Sequence, residues 1–147
     1  MPRPGFTLSE VFTFVVALIV IAAVAMPMWR THELRTRRDD AIESLLAVQS
    51  AQDQYFGTHA RYATDAQLGA NPPAGSGLKP ISARGFYQIT VSNSGDDLGY
   101  LAIARARVLD GKRADTRCVE MRIDQNGRRF AIDAEGVDRS ADCWNVN

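Results

Sequence analysis

The stretch FTLSEVFTFVVALIVIAAVAMPMW, residues 6–29, contains one charged side chain, the carboxylate of Glu10. The nineteen residues from Val11 to Trp29 are uncharged. As a helix they would measure about 28 Å, close to the hydrocarbon thickness of a bilayer. An ionisable residue beside such a run costs at least a few kcal/mol in a membrane, so it normally has a partner or a function. Glu10 is therefore either a functional residue or a surface residue at the level of the headgroups.

Composition limits what the rest of the chain can be. The chain has 147 residues, with 17 basic and 17 acidic side chains and a formal net charge of zero. That balance gives no general attraction to nucleic acid, and direct nucleic-acid binding is not indicated. Once the apolar N-terminus is set aside, roughly 90 to 110 residues remain, which is enough for one small globular domain.

The two cysteines, Cys118 and Cys143, both lie in the last thirty residues. In an exported domain such a pair is most economically one disulfide, and the alternative is two unrelated buried thiols in a cytosolic protein. Their spacing is not the C-x-x-C of a redox pair.

Three interpretations of the apolar run compete. A plain signal anchor leaves Glu10 without a role. A cleaved secretory signal could use Ala23-Val24-Ala25 as its cleavage site, but its leading region would carry only Arg3 against Glu10, and such regions are positive. The third interpretation is a subunit anchor with a specialised short leader. Arginines after the run would place the C-terminal domain in the cytoplasm by the positive-inside rule, which conflicts with a disulfide. They are Arg30, Arg35, Arg37 and Arg38.

The residues around the start of the run favour the third interpretation. The sequence GFTLSE, residues 5–10, followed at once by the apolar run, resembles the type IV prepilin signature. The resemblance implies that a prepilin peptidase cuts between Gly5 and Phe6 and that Phe6 is then N-methylated. It makes Glu10 the fifth mature residue, where the family has its Glu, and it makes Pro27 a helix-kinking proline. Ser9 departs from the family, which usually has an apolar residue there.

The resemblance also implies a role for the carboxylate. In the family's assembly model, the Glu of an incoming subunit pairs with the N-terminal amine of its neighbour. Glu10 and Phe6 would then be the assembly residues. A buried carboxylate is tolerable when a cation neutralises it and much less so alone. Interaction of Glu10 with its own helix N-terminus is the simpler alternative, and the two are compatible.

The helix is expected to continue beyond the apolar run. Between Ala41 and Phe56, apolar residues recur mainly at steps of three and four, which is typical of an amphipathic helix, with Gln52 as a polar interruption. One long helix from Thr7 to Phe56, bent at Pro27, is the prediction. The charged residues early in this half predict a solvated or subunit-facing surface. They are the arginines up to Arg38 together with Asp39, Asp40 and Glu43.

The remaining sequence predicts a loop and then strands. Residues 57–85 contain NPPAGSG and are expected to form a loop. Four segments have the pattern of strands, and Gln125-Asn126-Gly127 predicts a hairpin turn between the last two. The segments are residues 86–92, 100–108, 118–124 and 128–133. In 100–108, Val108 is expected on the same face as Ala102, Ala104 and Ala106.

The predicted fold class is α+β, and the resemblance implies the type IV pilin fold. One long N-terminal helix, transmembrane in its first half, would pack on a roughly four-stranded antiparallel sheet, with a C-terminal loop closed by Cys118 and Cys143. The predicted segments are a leader at 1–5, a membrane or filament-core helix half at 6–29, and a periplasmic or extracellular globular domain at 30–147.

No catalytic or cofactor-binding arrangement is visible. His32 and His59 are the only histidines, and neither has a cysteine or second histidine at metal-ligand spacing. The glycines form neither a phosphate-binding loop nor a dinucleotide fingerprint. We therefore expect a protein that is not an enzyme, with no cofactor and no metal.

The resemblance implies a structural subunit, most closely a PilE-like minor pilin, held in the inner membrane and then built into an extracellular pilus. The implied partners are other pilin subunits, the prepilin peptidase and the assembly machinery. Twitching motility, adhesion or DNA uptake would belong to the whole pilus. Two alternatives stay open: a pseudopilin of type II secretion, and an anchored periplasmic binding or sensory domain.

Overall fold

The structure, a computed structural model, describes residues 8–72 and 75–144; for residues 24–28, 30 and 31 it describes the backbone only. The chain divides after Leu34 into two units, Met1–Leu34 and Arg35–Asn147. The predicted leader, with Gly5 and Phe6, lies outside the described residues, and so does the side chain of Pro27.

The predicted long helix is confirmed. Helix α1 runs from Leu8 to His59, three residues further than expected. In its second half, steps of four, three and four residues put one face of the helix in the core, because those positions share a side of a 3.6-residue helix. The buried residues of this face are Ala41, Leu45, Val48 and Gln52.

The first half of α1 belongs to the unit Met1–Leu34. Its apolar side chains from Leu8 to Ile21 are largely exposed within the chain. Across the described residues, none of the helices is both long and apolar enough to cross a membrane, so the transmembrane span predicted at 6–29 is not found there.

The four predicted strands form one antiparallel sheet. The register pairs Tyr87 with Ala106 at one end of the first pair, and Asn93 with Tyr100 at the other. The hairpin at residues 125–127 is confirmed, and Gly127 has a φ of +73°, a conformation that favours glycine. In their order across the sheet, the strands are β1 (Tyr87–Asn93), β2 (Tyr100–Ala106), β5 (Glu120–Asp124) and β6 (Arg129–Ile132).

Two predictions about strand ends were wrong. Strand β2 ends at Ala106, and Val108 is 59% exposed instead of lying on the buried face. Val108 begins a separate two-stranded ribbon, β3 (Val108–Leu109) and β4 (Lys112–Arg113). The ribbon forms because Asp110 and Gly111 both take positive φ angles, which a two-residue hairpin turn requires. Strand β4 therefore falls between the second and third predicted strands, where the sequence predicted none.

Two short helices were not predicted. Helix α2, Asp65–Gly69, lies inside the expected loop and begins with a capping box between Thr64 and Gln67. Helix α3, Ser140–Trp144, carries Cys143. The predicted disulfide is confirmed: Cys118 and Cys143 are bonded, with their Cα atoms 5.9 Å apart.

Candidate functional site

An apolar surface covers the first half of α1. Leu8 is 92% exposed, and Phe12 and Phe14 are each 70% exposed. Further along, Leu18, Ile19, Val20 and Ile21 are also exposed. A surface this apolar is a site for association with other helices or with lipid. We call residues 8–23 the assembly helix.

Glu10 lies at the start of the assembly helix. It is exposed and falls in the first helical turn, where a carboxylate interacts favourably with the helix dipole. One turn on, the hydroxyl of Thr13 donates to the carbonyl oxygen of Ser9 at 2.8 Å. The unusual Ser9 therefore lies on the same helix face as Thr13 and places a polar group beside an apolar surface.

The charged residues at the base of the globular domain are structural ties. Asp40 is fully buried, and its carboxylate accepts bonds from the Ser82 hydroxyl at 2.5 Å and the amide of Arg84 at 2.9 Å. Arg38 pairs with Asp115 at 2.8 Å, and the Asp115 side chain is only 1% exposed. The expectation of a solvated or subunit-facing surface was therefore wrong for Arg38 and Asp40. Loops far along the chain fold back to meet them.

Arg37 belongs to the same set of ties. One of its terminal nitrogens donates to the carbonyl oxygen of Ala114. Its guanidinium also lies over the ring of Phe86, 5.1 Å from the ring centre, which is a cation–π contact. Helix α1 is therefore joined both to the loop before β1 and to the segment after the ribbon.

Gln52 closes the other end of the domain. Its side-chain amide donates to the carbonyl oxygen of Ala63 at 2.8 Å and accepts from the amide of Ala63 at 2.8 Å. Both residues are fully buried. The side chain that looked like an interruption of the apolar face thus fixes the chain just after the helix. Beyond it, the ring of Tyr62 packs on Phe56 and meets Tyr100 edge-on.

The outer face of the sheet carries a three-residue charge cluster. Glu120 is buried, with 8% of its side chain exposed, and it accepts a bond from Arg105 at 2.5 Å and further bonds from Arg122. Burial opposes the charged form, but the hydrogen bonds from the two arginines outweigh it and lower the pKa of Glu120. The cluster joins β2 to β5 across the face of the sheet.

The C-terminal segment packs along the edge strand β6. The hydroxyl of Ser140 accepts a bond from the amide of Ala131 at 2.9 Å, and the indole of Trp144 donates to the carbonyl oxygen of Phe130 at 3.0 Å. Together with the Cys118–Cys143 disulfide, these contacts occupy an edge that would otherwise be open to pairing with another strand. Of the predicted site residues, only these two cysteines are brought together among the described residues.

His59 is the last residue of helix α1. The ring of His59 stacks on Tyr55 with ring centres 4.0 Å apart at the helix end. Among residues 8–72 and 75–144, no three histidine, cysteine or acidic side chains are arranged to hold a metal ion.

The comparisons with known proteins point to one family. A family model described as "Type IV minor pilin ComP, DNA uptake sequence receptor" matches residues 27–122, which is well over half of the chain. The chain is also similar to the type IV major pilin protein PilA of Myxococcus xanthus (strain DK1622), with 30% identity over 88 residues. That match covers 58% of this chain and 40% of the relative.

Among solved structures, the chain is similar to a type IV pilin from Shewanella oneidensis. The identity is 21% and the TM-score is 0.46. The match covers 65% of this chain and 89% of that one.

Proposed function

The chain belongs to the type IV minor pilin family of ComP, and from this premise we propose that it is a structural subunit of a type IV pilus that polymerises through the assembly helix. One observation carries the proposal. The assembly helix presents apolar side chains on all sides, including Phe12 and Phe14 at 70% exposure, and such a surface is not stable in water. Packing against the same helix of neighbouring subunits would cover it.

The mechanism is structural. In the membrane-associated subunit the apolar side chains face lipid, and in the pilus they face other helices. Little apolar surface therefore passes through water when a subunit enters or leaves the filament. The globular unit from Arg35 onward would remain outside this core.

Maturation would prepare the contact. We propose that the leader is removed between Gly5 and Phe6, and that the methylated amine of Phe6 pairs with Glu10 of a neighbouring subunit. The support is the motif at residues 5–10 together with the position of Glu10 in the first turn of α1. A cation beside the carboxylate lowers the cost of moving it into an apolar filament core.

The disulfide supports export of the globular unit. Cys118 and Cys143 form a disulfide, and disulfides persist in oxidising compartments such as the bacterial periplasm or the cell surface and are rare in the cytosol. We propose that the subunit is held at the inner membrane with this unit in the periplasm and then moves into the extracellular pilus. Its partners would be other pilins, the prepilin peptidase and the assembly machinery.

The proposal does not extend to DNA recognition. Arg105 and Arg122, which lie on the outer sheet face, are both held by Glu120, and the chain has no net charge. Motility, adhesion or DNA uptake would be properties of the assembled pilus. The closest alternative is a pseudopilin of type II secretion, which would share the same N-terminus, and the disulfide-closed C-terminal loop favours the pilin.

The first experiment is the mass and N-terminal residue of the mature protein, measured without reductant in membrane and sheared-surface fractions. We expect a chain that begins at methylated Phe6 and lacks two hydrogens because of the disulfide. A chain that begins at Met26 would indicate a secreted protein, and an intact Met1 would indicate an ordinary anchor. Either result would overturn the pilus proposal.

A second experiment tests the assembly contact. Glu10→Ala should remove the subunit from sheared pili while leaving it in the membrane fraction. Glu43→Ala, which changes an exposed carboxylate in the second half of the same helix, is the matched control and should be incorporated normally. Normal incorporation of Glu10→Ala would contradict the assembly mechanism.

A further inference from the structure

Four cations lie near the end of the globular unit where β1 begins and β2 ends, and we call Arg84, Arg107, Lys112 and Arg113 the basic collar. The three arginines are hydrogen-bonded to backbone carbonyl oxygens. Arg107 donates to Gly85 at 2.7 Å, Arg84 to Thr36 at 3.0 Å, and Arg113 to Ala106 at 3.3 Å. Only the bond of Arg84 reaches helix α1, and the other two join the segments around strands β1 and β2.

The collar keeps its positive charge. Carbonyl oxygens orient a guanidinium without neutralising it, and none of the four cations is paired with a carboxylate among the described residues. The segments that meet here are 35–40, 84–86 and 107–115, with seven basic and four acidic side chains. Two of those acids, Asp40 and Asp115, are buried and already bonded. The base of the unit is therefore locally positive.

The opposite end of the unit carries four aspartates beside two arginines, Arg61 and Arg128, and we call Asp53, Asp96, Asp97 and Asp124 the distal aspartates. Strands β1 and β2 run from the collar end, where Tyr87 pairs with Ala106, to the distal end, where Asn93 pairs with Tyr100. Each strand has seven residues, so the two ends of the pair lie about 20 Å apart. The unit from Arg35 to Asn147 has equal numbers of basic and acidic residues and therefore no formal net charge. Its positive and negative side chains are nevertheless distributed unevenly between the two ends.

Two of the distal aspartates accept hydrogen bonds from uncharged groups. Asp96 accepts bonds from the Ser94 hydroxyl at 2.5 Å and the Leu98 amide at 3.1 Å, and these bonds lower its pKa. Asp124 accepts the amides of Asn126 and Arg128. These donors are hydroxyl and amide groups, and neither carboxylate forms an ion pair with a cation among the described residues.

We propose that the basic collar of one copy contacts the distal aspartates of a second copy, so that globular units associate head to tail. The inference rests on the proposed function, because a filament repeats the same contact from one copy to the next. A contact between two different ends of one unit is heterologous, and such a contact repeats along a filament when the rotation between copies does not close a ring. Its charge complementarity would set the register between neighbours, while the apolar helices supply most of the binding free energy.

The test is a charge exchange in the full-length protein in cells that assemble it, read as subunit in sheared pili. The collar variant is Lys112→Glu with Arg113→Glu, and the distal variant is Asp53→Lys with Asp96→Lys. Like charges facing each other should lower incorporation by each variant on the order of tenfold. The combined variant, which exchanges the two signs, should recover most of it. The control is Lys79→Glu, which changes an exposed lysine outside both ends and is matched to the single substitution Lys112→Glu. Lys79→Glu should have no effect on incorporation into pili.

The outcomes separate the two proposals. Absence of the unaltered chain from pili would overturn the proposed function itself. Normal incorporation of both reversed variants, or loss that the combined variant does not recover, would overturn only the head-to-tail contact. Retention of the purified full-length protein by random-sequence duplex DNA or phosphatidylglycerol vesicles, lost in the collar variant, would instead assign the collar to phosphate groups and would also overturn it.

Discussion

The carboxylate of Asp40 on helix α1 lies 2.5 Å from the hydroxyl of Ser82, forty-two residues further along the chain. The same carboxylate accepts the amides of Arg84 at 2.9 Å and Phe86 at 3.3 Å. Ser82 in turn accepts the amide of Tyr87 at 2.9 Å. One buried helical side chain thus organises the loop that leads into β1, and the collar residue Arg84 is part of that loop.

Replacement of Asp40 tests this tie. Asp40→Asn should lower the free energy of unfolding by about 2–4 kcal/mol, because buried amide donors would face an amide group in place of a carboxylate. The measurement is urea unfolding of the full-length protein in detergent, followed by near-ultraviolet circular dichroism. Asp39→Asn, next to it in the helix, should change stability by less than about 0.5 kcal/mol. Equal effects of the two substitutions would count against the tie.

Gln52 allows a second prediction. Gln52→Leu should lower the free energy of unfolding by about 2–4 kcal/mol, because the buried amide and carbonyl groups of Ala63 would both lose their partner. Hydrogen exchange at the Ala63 amide should become faster in the same variant. Gln54→Leu changes an exposed glutamine two residues further along the helix and should leave the exchange rate of the Ala63 amide unchanged. Slow exchange at Ala63 in Gln52→Leu would show that the bond is dispensable.

The Glu120 cluster predicts a dependence on pH. The folded-state pKa of Glu120 lies below its ordinary value of 4.5, so its stabilisation is present above that pH and is lost as the pH falls through the lowered pKa. Stability should therefore decrease on acidification, and Glu120→Gln should reduce the size of that decrease. The comparison is the unfolding free energy of both proteins at neutral and acidic pH. An unchanged pH dependence in Glu120→Gln would refute the assignment.

The disulfide should contribute substantially to stability. It closes a loop with a sequence separation of 25, and the chain-entropy relation assigns such a loop about 3–4 kcal/mol. The double variant Cys118→Ala with Cys143→Ala should lose about this much in urea unfolding. Unaltered protein measured with and without reductant provides the matched comparison, because it keeps both side chains. A variant as stable as the oxidised protein would contradict the prediction.

Local patterns in the sequence predicted the regular elements well. The spacing of apolar residues after Ala41 predicted the second half of α1, and Asn126-Gly127 predicted the hairpin between β5 and β6. Both depend on neighbouring residues only. The position of Val108 was wrong because Asp110 and Gly111 form a tight turn, which starts a separate ribbon.

The arginines after the apolar run show what local patterns could not resolve. By charge alone they conflicted with export of the domain. In the fold, Arg38 is paired with Asp115 and Arg37 binds the carbonyl oxygen of Ala114, each seventy-seven residues away in sequence. Arg37 and Arg38 are ties within the globular unit, and no count of charges near an apolar segment can reveal this.

By itself, the sequence determined the long helix, the four strands and the candidate N-terminal motif, because helical and strand periodicity and short motifs are properties of adjacent residues. Only the tertiary structure decided which polar residues became internal ties and where unpaired charge collected. In the sequence alone, nothing distinguishes Asp40, Gln52 and Arg38 from polar residues on an exposed helix face. Their roles depend on loops that fold back onto the helix, and burial makes those hydrogen bonds and ion pairs costly to lose.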